Sequence, residues 1–316
     1  MKDLKVIFMG TPEFAVPILE ALIEHTHVIM VVTQPDKEVG RHHELVAPPI
    51  KELALKHNIE VYQPQKIRKE FEPVVKAKPD LIVTCAYGQI IPEEILNTPE
   101  LGCINVHASL LPKLRGGAPI HHAIIDGLDK TGITIMYMDK NMDTGDIITK
   151  EEIPILDTDN VGTLHDKLSI LGKELLIRTL PSIVIGSNPR TPQNNDEATF
   201  AWNITREEEH IDFNATAREV FNKVRGLYPW PKAYTIINGD EVKVLECFIG
   251  DKDSTLSAGT ICEINKDNIG ICTKDKVIYI TKVKPFGKKE MTCLDYVNGL
   301  SKEKVINTIV KWEKSF

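Results

Sequence analysis

A chain of 316 residues with a formal net charge of −7, 42% hydrophobic and 26% charged side chains has an ordinary globular composition and exceeds the usual length of one domain. The acidic balance excludes a generally sticky nucleic-acid binder, the opening apolar run is too short for a secretory leader and no apolar stretch reaches membrane-spanning length, so a cytoplasmic location with no membrane partner is expected. The cysteines Cys85, Cys103, Cys247, Cys262, Cys272 and Cys293 form no Cys-x-x-Cys pair, and the neighbouring imidazoles of the doublets His42-His43 and His121-His122 cannot both point one way, so neither a disulfide framework nor a metal site is expected.

In chain order, residues 5–9 read as a buried strand, and Gly10-Thr11-Pro12-Glu13 turns it into a helix with Phe14, Ile18 and Leu22 at helical spacing. That turn lacks the further glycines that let a dinucleotide pyrophosphate approach the backbone. Residues 27–33, 80–86, 104–107 and 133–138 continue the strand series, and helical patterns fall at 50–57, 119–126 and 163–185. Apolar strands alternating with helices predict an α/β, Rossmann-like, mainly parallel sheet covered on both faces, with ligands gathered at the carboxyl ends of its strands. Residues 34–49 read as a long irregular connection, of the kind that carries function in compact α/β domains.

The polar, proline-punctuated stretch 187–201 marks a linker, which predicts a catalytic domain at 1–186, a linker at 187–203 and a second domain at 204–316. After a helical stretch at 215–225, the short alternating segments 233–237, 242–245 and 277–280 come with turns at 238–240 and 266–268. They predict a small β-barrel resembling an oligonucleotide-binding fold. Residues 1–202 carry 20 basic and 28 acidic side chains, whereas 203–316 carry 18 and 17. The lysines at 274, 276, 282, 284, 288 and 289 suit a phosphate backbone as readily as they suit a solvated face.

The chemistry concentrates in Asn105-Val106-His107-Ala108-Ser109-Leu110-Leu111-Pro112, followed by Arg115-Gly116-Gly117 and later by Asp143-Thr144-Gly145. In an extended strand Asn105, His107 and Ser109 share one face while Val106 and Ala108 take the other. Each piece alone is ordinary, since strand-end Asn and His residues are usually structural and Asp-Thr-Gly is a common turn. Together an amide, an imidazole and a carboxylate supply an oxyanion donor, a titratable acid/base and a proton acceptor, the equipment for transferring an acyl group to an amine. Asp143-Thr144-Gly145 also matches the aspartic-protease motif, but one copy in a parallel α/β domain lacks the second carboxylate that must share the proton. Cys103, two residues before Asn105, reads as a small strand residue beside the site rather than a nucleophile.

Combined at this spacing, these residues resemble the signature of the folate-dependent formyltransferases. The resemblance covers essentially the whole chain, and Phe8-Met9-Gly10-Thr11-Pro12-Glu13-Phe14-Ala15, Gln34-Pro35-Asp36, Ala86-Tyr87-Gly88, Pro229-Trp230-Pro231 and Gly287-Lys288-Lys289 carry it too. It implies Asn105, His107 and Asp143 as catalytic residues, with Ser109, Leu110, Leu111 and Pro112 bordering a folate whose pterin lies near Tyr87, Gly88, Ile90 and Ile91. It implies 10-formyltetrahydrofolate as donor, tetrahydrofolate as product and no metal. The acceptor it implies is the α-amino group of methionine on initiator tRNA, held by Arg41, Lys288 and Lys289 of a monomeric enzyme. Where the family has Gly-Arg-Gly-Lys-Lys-Leu, this chain reads Gly40-Arg41-His42-His43-Glu44-Leu45, exchanging two permanent positive charges for imidazoles and a carboxylate, which weakens the loop's attraction to phosphate. A sugar-nucleotide N-formyltransferase with the same donor and a non-catalytic tRNA-binding module are the alternative readings.

Overall fold

The computed structural model describes residues 1–40, 43–299 and 305–310. The chain divides into two compact units, one of Met1–Pro119, Lys130–Pro154 and His165–Trp202, the other of Ile120–Asp129, Ile155–Leu164 and Asn203–Phe316. Residues 120–129 and 155–164, numbered inside the first expected domain, therefore group with the C-terminal segment, and most of the expected linker groups with the first unit. No local sequence signal marks these exchanges, because they follow from packing between segments far apart in number.

The first unit and the segments interleaved with it run β1 (Lys5–Gly10), α1 (Val16–His25), β2 (His27–Val32), β3 (Lys37–Val39), β4 (Glu44–Val46), α2 (Pro49–Lys56), β5 (Glu60–Tyr62), α3 (Glu72–Lys76), β6 (Leu81–Cys85), α4 (Glu93–Leu96), β7 (Cys103–His107), α5 (Pro119–Ile125), β8 (Lys130–Tyr137), β9 (Ile147–Pro154) and α6 (Val161–Val184). Seven strands form one sheet in the order β5-β2-β1-β6-β7-β8-β9. Pairing is parallel as far as β7, and β8 and β9 are added antiparallel. Val6, Ile7, Phe8 and Met9 on β1 and Leu81, Ile82 and Val83 on β6 have no exposed surface, as strands covered on both faces require. Because the chain runs outward from β1 in one direction and then returns to β6 and β7, the carboxyl ends of β1, β6 and β7 lie side by side along one sheet edge.

Register then positions the polar residues of β7. Asn105 lies opposite Thr84 on β6 and Met136 on β8, and His107 lies opposite Thr134. Val106 points to the other face, where a Cβ at Gly172 of α6 would come within 3.1 Å of it. The buried Leu168, Leu171 and Leu175 give α6 its apolar stripe.

The structure differs from the sequence expectation at three places in this unit. The connection 34–49 contains the antiparallel hairpin of β3 and β4, whose Glu44, Leu45 and Val46 are all exposed, so no burial alternation announced it. Strand β5 has only three residues. Strand β9 closes the sheet as an edge whose outer residues alternate with solvent, and its Thr-Lys-Glu-Glu sequence hides the strand from a hydrophobic reading.

The second unit holds α7 (Ala217–Gly226), β10 (Tyr234–Ile237), β11 (Asp240–Asp253), β12 (Ile261–Ile264), β13 (Ile269–Cys272), β14 (Lys276–Pro285), β15 (Met291–Thr292) and α8 (Cys293–Asn298). Its strands form an antiparallel half-barrel in the order β10-β11-β14-β13-β12, with β15 paired to β14. Asn238 and Gly239 join β10 to β11 with φ of 52° and 85°, the conformation of a tight hairpin turn. Val220 and Val224 of α7 bury against Ile271, Ile278, Ile280 and Val283 to make this unit's core. Among the described residues no helix is long and apolar enough to cross a membrane.

Candidate active site

Asn105 is held by its carbonyl. The buried Thr84 hydroxyl donates to Asn105 Oδ1 at 2.8 Å, so the amide nitrogen, with its two N–H donors, is turned away from β6. An amide whose acceptor end is already satisfied is a donor fixed in direction, which is what an oxyanion needs.

His107, 6% exposed, lies two residues further along the same face. Its Nε2 is 3.1 Å from the carbonyl oxygen of Leu114, and a carbonyl only accepts, so Nε2 carries the proton. Nδ1 therefore faces the carboxylate of Asp143, whose Oδ1 is 3.8 Å away, an ion-pair separation longer than a hydrogen bond. Asp143 Oδ2 accepts from the backbone N–H of Gly116 at 2.9 Å. The three residues, numbered up to 38 positions apart, are thus brought together by β7, by the 114–117 turn and by the loop between β8 and β9.

That loop is clamped by the segment expected to be a linker. Gln193 Nε2 donates to the carbonyls of Asp143 at 2.9 Å and Gly145 at 2.8 Å, while Gln193 Oε1 accepts from Arg115 Nη2 at 2.8 Å. The buried Arg115 guanidinium also donates to Asn195 Oδ1 at 2.9 Å. Two glycines make the close approaches possible. A Cβ at Gly145 would fall 2.0 Å from the Tyr137 carbonyl oxygen, and one at Gly116, where φ is +121°, would fall 2.6 Å from that of Ala201. Sequence reasoning finds Arg115 and Gly116 only as a turn, and it misses Thr84 and Gln193, because a threonine in an apolar strand and a glutamine in a polar stretch carry no periodic signal.

The other expected site residues spread over different environments. Ser109 is fully buried and its hydroxyl donates to the Lys113 carbonyl at 2.6 Å, so it closes a turn. Leu111 is also fully buried, in a cluster with Met136 and Ile147, and Leu110 and Pro112 keep partial exposure. Tyr87 is 4% exposed, and its carbonyl accepts from Thr11 Oγ1 at 3.1 Å and Gln34 Nε2 at 3.0 Å, tying together the carboxyl ends of β1, β2 and β6. Burial pushes the Tyr87 phenol above its usual range. Gly88 is exposed with φ of +87°, Ile90 is 63% exposed and Ile91 is buried. Lys288 and Lys289 are exposed in the turn after β14, and Arg41 lies outside the described residues.

Cys103 is no nucleophile, since burial pushes its thiol up to about 12 and its Sγ faces the carbonyls of Ile95 and Leu96. Among the described residues, no group of three or more His, Cys, Asp or Glu could hold a metal ion.

Residues 4–180 match the Formyl transferase family and residues 203–301 match the Formyl transferase, C-terminal domain family. The chain is 52% identical over 304 residues to a methionyl-tRNA formyltransferase of Staphylococcus epidermidis, covering 95% of this chain and 98% of that protein. It is 50% identical over 299 residues to the methionyl-tRNA formyltransferase of Bacillus subtilis, covering 93% and 94%. Among solved structures, an N-formyltransferase from Helicobacter canadensis, in complex with folinic acid and dTDP-3-aminofucose, superposes with a TM-score of 0.67 at 20% identity over 88% of this chain and 98% of that one, a likeness of fold.

Proposed function

The chain belongs to the formyl transferase family, and we propose on that premise that it moves a formyl group from 10-formyltetrahydrofolate to the α-amino group of methionine esterified to initiator tRNA. What supports the acceptor is the identity of about half the residues, over nearly the full length of both chains, with methionyl-tRNA formyltransferases. What supports the chemistry is one observation. An amide donor fixed by Thr84 stands two residues from an imidazole that faces a carboxylate at 3.8 Å.

In this reading the methionyl amine, once it has lost its ammonium proton, attacks the formyl carbon. The negative charge that develops on the formyl oxygen is met by Asn105 Nδ2–H, a contribution worth roughly 3 kcal/mol for one oxyanion donor. His107 takes up a proton at Nδ1 and becomes a cation beside the oxyanion, with Asp143 as its counter-ion. The C–N bond to the folate then breaks. Tetrahydrofolate leaves with its nitrogen protonated by His107 Nδ1, which took that proton from the attacking nitrogen, while the ammonium proton lost before the attack passes by way of Asp143 to solvent. No covalent enzyme intermediate forms, since no activated nucleophile stands among the described residues of the site.

Leu110 and Pro112, with the backbone of Ser109 and Leu111, border the folate, and Tyr87, Gly88, Ile90 and Ile91 flank its pterin. The unit that carries Asn105, His107 and Asp143 is the catalytic one, and the unit that contains 204–316 binds the tRNA, with Arg41, Lys288 and Lys289 on phosphate. The enzyme acts as a cytoplasmic monomer. Incubating the protein with 10-formyltetrahydrofolate and either methionyl-tRNA or an amino-sugar nucleotide tests the assignment, the formyl group being expected on the methionyl amine. Transfer to the sugar, or retention of tRNA with no transfer, would overturn it.

A further inference from the structure

We propose that Gln34 is a positioning residue for the folate, its amide holding the segment 87–91 in the conformation that flanks the pterin. The inference rests on the placing of that segment beside the pterin, made above, and names the side chain that fixes it. Strand β6 ends at Cys85, and residues 87–91 are neither helix nor strand, so their shape comes from hydrogen bonds outside regular structure. The Gln34 amide supplies two of these. Its Nε2 donates to the Tyr87 carbonyl at 3.0 Å, and its Oε1 accepts from Gln89 Nε2 at 3.2 Å. It also lies along Gly88, where a Cβ would come within 3.4 Å of Nε2. One amide thus ties Tyr87 to Gln89 across Gly88.

Backbone groups force the orientation of both amides. A carbonyl only accepts, so the Gln34 nitrogen must face Tyr87, and Gln89 Oε1 accepts the Ile67 N–H at 2.9 Å, so the Gln89 nitrogen must face Gln34. The backbone of Gln34 is held separately. Its carbonyl accepts from Gln63 Nε2 at 2.9 Å, and the same nitrogen donates to Asp36 Oδ1 at 2.7 Å. Lys51 Nζ donates to both oxygens of that carboxylate, at 2.9 and 2.7 Å. These bonds anchor the start of the connection 34–49, which carries Arg41, without using the Gln34 amide, whose own two hydrogen bonds go to the folate segment. The three glutamines follow β2, β5 and β6, so they meet at the carboxyl edge of the parallel strands, where ligands gather.

Gln34→Glu is close to isosteric, but its carboxylate cannot donate to the Tyr87 carbonyl, whereas the protonated carboxyl can. Dissociation constants for folinic acid and for methionyl-tRNA are measured for the wild type, Gln34→Glu, Gln34→Met and Ile90→Ala, together with melting temperatures. The series runs from about pH 8 down to about pH 5, towards the titration range of a carboxyl. At neutral pH Gln34→Glu should weaken folinic acid by about 5- to 50-fold and Gln34→Met by about 3- to 10-fold, the cost of hydrogen bonds whose partners stay behind. As pH falls the introduced carboxyl takes up a proton, so the gap between Gln34→Glu and the wild type should narrow while Gln34→Met keeps its deficit. Affinity for methionyl-tRNA should match the wild type at each pH. A Gln34→Glu deficit independent of pH would overturn the positioning role, as would equal losses for folinic acid and tRNA with a lowered melting temperature. So would unaltered folinic acid affinity in both Gln34 variants beside a weakened Ile90→Ala. Should all three variants bind folinic acid as the wild type does, the placing of 87–91 beside the pterin falls too, and a wild type that does not bind it removes the donor assignment itself.

Discussion

Thr84 determines which end of the Asn105 amide faces outward, and it does so with one hydroxyl on the neighbouring strand. Thr84→Val keeps the shape of the residue and removes that donor, so the Asn105 amide loses the bond that orients it. We expect kcat to fall severalfold with KM little changed, Thr84→Ser to restore it, and Asn105→Ala to cost about 10²- to 10³-fold, the worth of one oxyanion donor. A Thr84→Val enzyme with unaltered kcat would show that the amide is oriented by something else. Asp143→Asn retains an acceptor for the Gly116 N–H but not the charge opposite His107. Steady-state kinetics should show a loss of about 10²- to 10⁴-fold, as for a missing general base, with the melting temperature hardly moved.

At the scale of elements, the first unit is stitched at its site by a segment with no secondary structure of note. Residues 193–201 hold Arg115, Asp143 and Gly145, so a stretch whose composition marks it as a linker braces the loop that carries Asp143. In the second unit, α7 begins on a capping box in which Thr216 and Glu219 satisfy each other's backbone donors, and the Ala217 N–H donates to Asp275 at 2.8 Å. Thr216→Ala should cost about 1 kcal/mol in urea unfolding, the usual worth of an N-cap. Backbone and hydroxyl hydrogen bonds from Thr216 hold the Glu219 carboxyl below its usual range, and the Ala217 N–H does the same for Asp275. Their folded pKa values lie below the unfolded ones, so the stability they add is present above the ordinary carboxylate range, near pH 4, and is lost as pH falls through the depressed values. Asp275→Asn should flatten the acid limb of a stability profile followed by urea midpoints, and an unchanged limb would assign the acid sensitivity to other carboxylates.

At the scale of the whole molecule the question is how a chain of net charge −7 binds a polyanion. The proposed placing of Lys288 and Lys289 on phosphate makes distribution matter more than the sum, since residues 274–316 hold ten lysines against five acidic side chains. Not all of those lysines are available. Lys282 is paired with Glu246 at 3.3 Å, whereas Lys288 and Lys289 stand exposed in a turn beside the 81% exposed Phe286. We expect affinity for charged tRNA to fall with salt and the double change Lys288→Ala, Lys289→Ala to reduce the log–log slope by about 1 to 2, one unit for each phosphate no longer neutralised. Arg41→Ala should lower kcat/KM for charged tRNA while leaving folate affinity nearly intact. Equal losses in both assays would count against a role for Arg41 on the RNA.

Much of this protein was legible in its residues. Strands β1, β2, β6, β7 and β8 and helices α1, α2, α5, α6 and α7 were announced by continuous apolar runs or helical spacing, because covered strands and amphipathic helices write their burial into local pattern. Alternation alone put Asn105 and His107 on one face. The exposed hairpin of β3 and β4, the polar edge strand β9 and the exchange of segments 120–129 and 155–164 between units left no such trace. Only the tertiary structure decided that Asp143 meets His107, that Thr84 turns the Asn105 amide and that Gln193 holds the loop. Local pattern records which side of an element is apolar, whereas a hydrogen bond between residues 50 apart depends on how the backbone between them has closed, and that is settled by the packing of the whole sheet.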